Sequence, residues 1–217
     1  MFHLEVPVID QIDEFDSTYT RGSPELMGDI VSYDLTFRWR LEDHLNVTNV
    51  KTPVLSGAAF AVKKEPFFRF GAFDPGMDIW GGENIELSFR AWLCGGSIEI
   101  VPESHIGHIF KSTHTYTFPA GKYKTVLKNL KRVALVWFLH NASHEKALEH
   151  LSNFYQALPQ ASLYQSGDLA ERRLLLKQLN CSSFDYFFER SGSRLIQQSP
   201  VDAQARRKAL FDIDAVD

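Results

Sequence analysis

Apolar positions first fall into a helical period between residues 85 and 93. Ile85, Phe89, Trp92 and Leu93 stand at i, i+4, i+7 and i+8, which predicts a helix with one apolar face. Trp80-Gly81-Gly82 precedes it. Two adjacent glycines remove both Cβ atoms, so this loop lets backbone approach a neighbour closely. Gly95-Gly96 stops the helix, because glycine takes the left-handed conformation past a helix end. Ser97–Val101 then alternates, Ile98 and Ile100 against Ser97 and Glu99, and reads as a strand. A second helical period covers Tyr123–Leu139, with Val126, Leu127, Leu130, Val133, Ala134 and Trp137 on one broad face. Its basic residues (Lys122, Lys124, Lys128, Lys131, Arg132) read as a solvated face rather than an anion site. Ala170–Leu179 is a further helix candidate. Leu35–Leu41 is an aromatic-basic strand, Thr52–Val62 an apolar strand-like run, and Arg21-Gly22-Ser23-Pro24 a turn. Ser191–Asp217 has too little periodic apolar content for assignment, and no internal repeat stands out.

Composition adds limits rather than a function. At 217 residues, 44% apolar and 13% aromatic, the chain can bury a sizeable core as one globular unit. A net charge of −4 gives no nucleic-acid or membrane signal. No apolar run approaches 18 residues, so no transmembrane helix is expected, and the amino terminus lacks the basic and apolar regions of a signal peptide. The two cysteines, Cys94 and Cys181, permit one bridge. Two buried thiols are the alternative in a reducing compartment. Asn46-Val-Thr, Asn141-Ala-Ser and Asn180-Cys-Ser are N-glycosylation triplets, which matter only if the chain enters the secretory pathway.

The densest candidate chemistry lies between Phe73 and Gly121. Glu83 and Asn84 sit at a helix start beside the Gly-Gly turn, with Glu86 in the first turn, where the helix dipole favours an acid. Glu83 is either a helix-start acid without chemistry or a carboxylate at a pocket mouth, able to orient or deprotonate a hydroxyl. His105-Ile106-Gly107-His108 is open in the same way. Residues three apart on a strand face opposite sides, so one of the two can be a metal ligand while the other is packed or exposed.

Beyond these patterns, the segment resembles the polypeptide N-acetylgalactosaminyltransferases, which start mucin-type O-glycosylation. The likeness is strongest over residues 52–121. It runs through Thr52-Pro53, Ser56-Gly57, Phe60, Met77-Asp78-Ile79-Trp80-Gly81-Gly82-Glu83-Asn84 and Glu86-Leu87-Ser88-Phe89-Arg90. It continues through Trp92, Cys94-Gly95-Gly96, Glu99-Ile100-Val101-Pro102, Ser104-His105, Gly107-His108, Phe110 and Tyr116-Thr117-Phe118-Pro119. Weaker similarity follows at Arg132, Ala134, Val136-Trp137 and Leu179-Asn180-Cys181.

The resemblance implies an α/β fold: a partial GT-A-type nucleotide-sugar transferase domain, a mixed sheet flanked by helices. It implies transfer of N-acetylgalactosamine from UDP-GalNAc to Ser or Thr of polypeptide acceptors, with Mn2+ as cofactor, in the Golgi lumen. His108 matches the histidine of the manganese site and Trp80 a wall of the donor pocket. Glu83 and Asn84 match the acid and amide near the transferred sugar and acceptor hydroxyl. His114 and Tyr116 match a mobile loop that closes over the donor. Cys94 and Cys181 match cysteines that pair, whereas a further family cysteine is replaced by Glu103.

There are departures. Lys111 replaces an Arg of the loop, keeping charge but losing bidentate phosphate binding. Ala58 replaces a glycine, where a methyl can crowd the donor sugar. Leu135 and Phe138-Leu139-His140 replace a more acidic run, which questions how that segment packs. Val6-Pro7-Val8-Ile9-Asp10 matches the middle of the family's catalytic domain, and no Asp-x-His occurs. The expectation is that residues 1–189 are the carboxyl-terminal portion of that domain, with the nucleotide-binding half, membrane anchor and lectin domain missing, and that residues 190–217 form a polar tail. Two readings follow: a glycosyltransferase or fragment of one, and a truncated or pseudoenzyme binding protein.

Overall fold

The computed structural model describes residues 2–30, 32–42, 50–111 and 116–194. Its centre is a parallel pair, β1 (His3–Ile12) beside β7 (Ser97–Ile109). The outer edge of β1 carries β2 (Tyr19–Thr20) and β6 (Ala61–Val62), and β5 (Val50–Lys51) pairs with β7, all antiparallel. The sheet is therefore mixed. A separate antiparallel hairpin joins β3 (Leu26–Ile30) to β4 (Phe37–Leu41).

β1 forms because Leu4, Val6 and Val8 alternate with His3, Glu5 and Pro7, sending every second side chain into the core. β7 runs well past Val101. Between Pro7–Val101 and Val8–His105 its register with β1 shifts, so Pro102, Glu103 and Ser104 bulge out of the ladder. Proline has no N–H to give the ladder, which makes a bulge the place that tolerates it.

The helices cover the sheet. They are α1 (Lys64–Arg69), α2 (Glu83–Leu93), α3 (Lys122–Trp137), α4 (His144–Ala157), α5 (Ala170–Gln178) and α6 (Phe187–Ser191). α2 is the hub. Phe89 is fully buried, its ring centroid 6.1 Å from Trp137, 5.1 Å from Phe184 and 4.6 Å from Phe187. Truncating such a side chain to Ala costs about 3–5 kcal/mol. The sequence predicts one apolar face for α2, yet every residue from Ile85 to Leu93 is buried. The polar ones are accommodated by pairing: Arg90 Nη2 donates to Glu86 Oε2 at 2.7 Å and Arg90 also reaches the Phe70 carbonyl.

Three expectations need correction. Thr52–Val62 is mostly loop, because α2 side chains satisfy its backbone instead of a strand partner. Trp92 Nε1 donates to Pro53 O, Asn84 Nδ2 to Leu55 O, and Ser88 Oγ accepts from Leu55 N. The basic residues of α3 are not one solvated face. Arg132 is 3% exposed and holds Asp74 through Nε (2.7 Å) and Nη2 (2.9 Å), and Lys122 is buried as well. Lys128 pairs with Asp78, and Lys131 donates to the Ser162 and Tyr164 carbonyls, leaving only Lys124 as expected. The segment around Phe138 packs fully: its ring lies 4.6 Å from Phe184 and 6.4 Å from Phe154. His140 Nε2 meets the Cys181 carbonyl at 3.0 Å. Burial lowers the His140 pKa, so the ring is held neutral and donates this bond.

Cys94 caps α2, and its sulfur is bonded to that of Cys181, with the Cα atoms 4.1 Å apart. Among the described residues no helix is long and apolar enough to cross a membrane.

Candidate functional site

The loop before α2 is held against α3. Asn129 is fully buried in the middle of α3. Its Nδ2 donates to the carbonyls of Asp78 (2.8 Å) and Trp80 (3.2 Å), and its Oδ1 accepts from Asp78 N (3.0 Å). This clamp keeps Ile79 at φ +48°, a conformation a β-branched residue avoids. Gly81 (φ +99°) and Gly82 (φ +93°) complete the turn. A Cβ on Gly81 would sit 3.0 Å from Val126, and one on Gly82 would sit 3.3 Å from Leu130. The close neighbour that the Gly-Gly pair admits is therefore α3.

The turn presents Trp80, Glu83 and Asn84 to a cleft of about 530 Å³. Ala58 and, from the end of β7, His108 line it too. Trp80 is 38% exposed, with Lys122 Nζ 6.0 Å from its ring centroid. Two buried polar atoms in this wall have no hydrogen-bond partner among the described residues, Glu83 Oε2 and His108 Nδ1. A buried polar atom left unpaired costs about 1–3 kcal/mol, so a cleft lined by two of them is arranged to receive something polar. Asn84 is more constrained, since one N–H of its Nδ2 is held by Leu55 O, leaving its Oδ1 and the second N–H for a ligand.

The two histidines separate as alternate faces of β7 require. His105 Nδ1–H donates to Asp10 Oδ1 at 2.8 Å, leaving Nε2 to accept from Arg21 Nη2 at 3.1 Å. Burial pushes the Asp10 carboxyl up, but hydrogen bonds from Tyr19, His105 and Gly22 more than offset it and hold the pKa down at about 2. His105 is thus a packed, hydrogen-bonded ring, and His108 is the one with a free nitrogen.

Tyr116 lies 42% exposed beside the cleft. Burial and the Glu83 charge both raise its pKa, which places the phenol within electrostatic reach of that carboxylate. Lys111 is exposed just past β7 and outside the cleft wall. His114 lies outside the described residues.

Sequence reasoning missed Phe37 and Trp39 and gave Phe110, part of the resemblance, no site role; all three aromatic side chains also line the cleft. The first two belong to the Leu35–Leu41 run, whose aromatic-basic alternation was their only signal. It missed Asn129 as well; an Asn within the apolar positions of α3 was the clue.

A family model described as the N-terminal domain of galactosyltransferase matches residues 44–115. Human polypeptide N-acetylgalactosaminyltransferase 16 is 40% identical over 190 residues, 84% of this chain and 32% of the relative. Polypeptide N-acetylgalactosaminyltransferase 4 of Caenorhabditis elegans is 37% identical over 191 residues, 84% of this chain and 31% of the relative. The crystal structure of GalNAc-T7 with UDP, GalNAc and Mn2+ superposes with a TM-score of 0.74 at 28% identity, over 88% of this chain and 36% of that one. Over 84% of its length the chain matches members of the polypeptide N-acetylgalactosaminyltransferase family. It spans about a third of the length of the curated family members it matches, and its mixed sheet with flanking helices is part of their GT-A-type fold.

Proposed function

We propose that this chain supplies the sugar- and acceptor-facing wall of a catalytic domain that transfers N-acetylgalactosamine from UDP-GalNAc to Ser or Thr of polypeptides. The supporting observation is the pair of unpartnered buried atoms, Glu83 Oε2 and His108 Nδ1, on one cleft walled by Trp80. In the transfer, the bond from the sugar's anomeric carbon to the diphosphate breaks, a bond to the acceptor oxygen forms, and the hydroxyl proton leaves. Glu83 is positioned to orient that hydroxyl and take up its proton. Asn84 Oδ1 accepts from a sugar or acceptor group, and Trp80 excludes water from the reacting centre. Ala58 borders the space for the sugar. Tyr116, with Lys111 and His114 of the same connection, forms the cover that closes over bound donor.

His108 fits the edge of a Mn2+ site, since its buried nitrogen has no hydrogen-bond partner among the described residues. Bound there, the ion would neutralise charge developing on the leaving diphosphate. Such an ion wants several mostly oxygen donors, and among the described residues no group of three His, Cys, Asp or Glu side chains converges to hold one. This observation favours a second reading for the 217-residue chain on its own, a binding protein without transferase activity. The Cys94–Cys181 bridge suits an oxidising lumen such as the Golgi's.

A chimera separates these ideas. The matching segment of a full-length relative, such as human polypeptide N-acetylgalactosaminyltransferase 16, is replaced by this chain, and Mn2+-dependent transfer to a Ser/Thr peptide is measured. The chimera should be active, and its His108→Ala and Glu83→Gln forms should lose at least 100-fold (about 2.7 kcal/mol in the barrier). The unfused chain should show no turnover above its own His108→Ala control. A folded but inactive chimera, or full activity in both variants, refutes the proposal.

A further inference from the structure

We propose that Asn180 is an N-glycosylation site and carries an oligosaccharide at the end of α2 remote from the cleft. Three triplets of the Asn-x-Ser/Thr type occur in the chain, and the structure distinguishes two of them. Asn46 lies outside the described residues. Asn141 Nδ2 donates one N–H to the Cys181 carbonyl at 2.9 Å, which fixes its amide against the turn after α5. Asn180 is exposed, sits at φ +52° on the turn after α5, and its side-chain amide has no hydrogen bond among the described residues. Its nitrogen can therefore bear a bulky group in the folded protein without breaking an internal bond.

The compartment argument comes from the adjacent residue. Cys181 is bridged to Cys94, and such bridges form and persist in an oxidising lumen. That is also where Asn-x-Ser/Thr is modified in secreted proteins. The co-reactant is a lipid-linked oligosaccharyl diphosphate, delivered by the transferase that reads the triplet. Asn180 Nδ2 forms a bond to the anomeric carbon, the bond from that carbon to the diphosphate oxygen breaks, the lipid diphosphate leaves as an anion, and Nδ2 gives up one of its two protons. The second proton stays on the amide.

Position makes the modification compatible with the rest of the molecule. Ser182 N donates to Leu93 O at 2.8 Å, which ties the triplet to the carboxyl end of α2. Glu83 and Asn84 begin the same helix. Eleven residues at 1.5 Å each put about 16 Å between the two ends, so the glycan is attached at the end of α2 away from the cleft. The local backbone also sets an order of events. With Cys181 bridged and Asn180 left-handed, the folded triplet cannot lie extended in a transferase groove, so the sugar is added before Cys94 and Cys181 join.

The test uses the full chain directed into the lumen of a eukaryotic cell by a cleavable leader. Disulfide-bonded material is purified and deglycosylated enzymatically, which converts a glycosylated Asn to Asp, and peptides are mapped by mass spectrometry. Conversion at Asn180 is expected. Ser182→Ala should abolish it while leaving the left-handed residue itself unchanged, and because no hydrogen bond among the described residues uses the Ser182 hydroxyl, this variant should keep the bridge. Unmodified Asn180 in bridged wild-type protein would overturn the inference. So would conversion at Asn141 without conversion at Asn180, or conversion at Asn180 that persists in Ser182→Ala.

Discussion

Replacing Asp74 by Ala removes the single carboxylate between two guanidinium groups that are themselves buried. Arg132 and Arg172 are 3% and 1% exposed. Arg132 holds Asp74 through two hydrogen bonds of 2.7 and 2.9 Å, Arg172 Nε lies 3.3 Å from Oδ1, and Gly76 N donates at 2.9 Å. Without the acid, two charges stay in the interior with no counter-charge, and breaking a buried pair from one side costs about 3–5 kcal/mol. Arg132 also donates to the Ser166 and Asp168 carbonyls, which tie the end of the loop before α5 to α3, so the loss should spread to that loop. Urea unfolding followed by tryptophan fluorescence should show the midpoint falling by roughly 1–2.5 M, taking a slope of about 2–3 kcal/mol per M. The pH dependence gives a second reading. Burial pushes the Asp74 pKa up, but the Arg132 hydrogen bonds, the Gly76 N–H and the charges of Arg132 and Arg172 more than offset it and leave the pKa below the usual 3.8. A carboxylate depressed in the folded state stabilises it fully above 3.8 and loses that contribution as pH falls through the folded value. The gap between wild type and Asp74→Ala should therefore be flat near neutrality and close only below about pH 4. A midpoint shift worth under about 1 kcal/mol, the size of an exposed ion pair, would refute the account of a buried, mutually dependent cluster.

Two further outcomes follow from the geometry. Cys94→Ala with Cys181→Ala opens a loop of 87 residues and should cost about 4–5 kcal/mol in the chain-entropy model; an unchanged urea midpoint would exclude a bridge in the purified protein. Asn129→Ala strips three hydrogen bonds from the loop under Trp80, and a loss of about 0.5–1.5 kcal/mol for each should lower Tm and loosen the cleft wall. Acrylamide quenching that reports no change in tryptophan accessibility would count against the clamp.

How much of this was legible in the sequence varies by element. α2, α3 and α5 were readable to within two residues because their apolar positions keep a helical period (Phe89, Leu130 and Leu176 all face the core). The pattern could not show that α2 is buried on all sides, because Glu86 and Arg90 look like a solvated pair until their burial is known. β1 was overlooked despite strict alternation from Leu4 to Val8, and α4 because only His150 and Phe154, four apart, are buried along it. The Thr52–Val62 run misled in a different way: it is apolar because it packs on α2, and its polar backbone is met by the Trp92, Ser88 and Asn84 side chains. At the site, the positions of Trp80, Glu83 and His108 came from a likeness to known enzymes. Local pattern alone could not decide between His105 and His108, because the decision rests on Asp10 and Arg21, which reach His105 from far earlier in the chain.

The parallel pairing of β1 with β7 also has a consequence for biosynthesis. His3 meets Ser97 across 94 residues of sequence, so β1 leaves the ribosome well before its central partner. At about 5–20 residues per second, the apolar face of Leu4, Val6 and Val8 waits roughly 5–20 seconds for β7. Pairings at such separation are slow because loop closure must be completed before any contact rewards it. Over that interval the β1 segment is a substrate for chaperones that bind extended apolar segments, and its survival depends on how fast residues 97–109 are made.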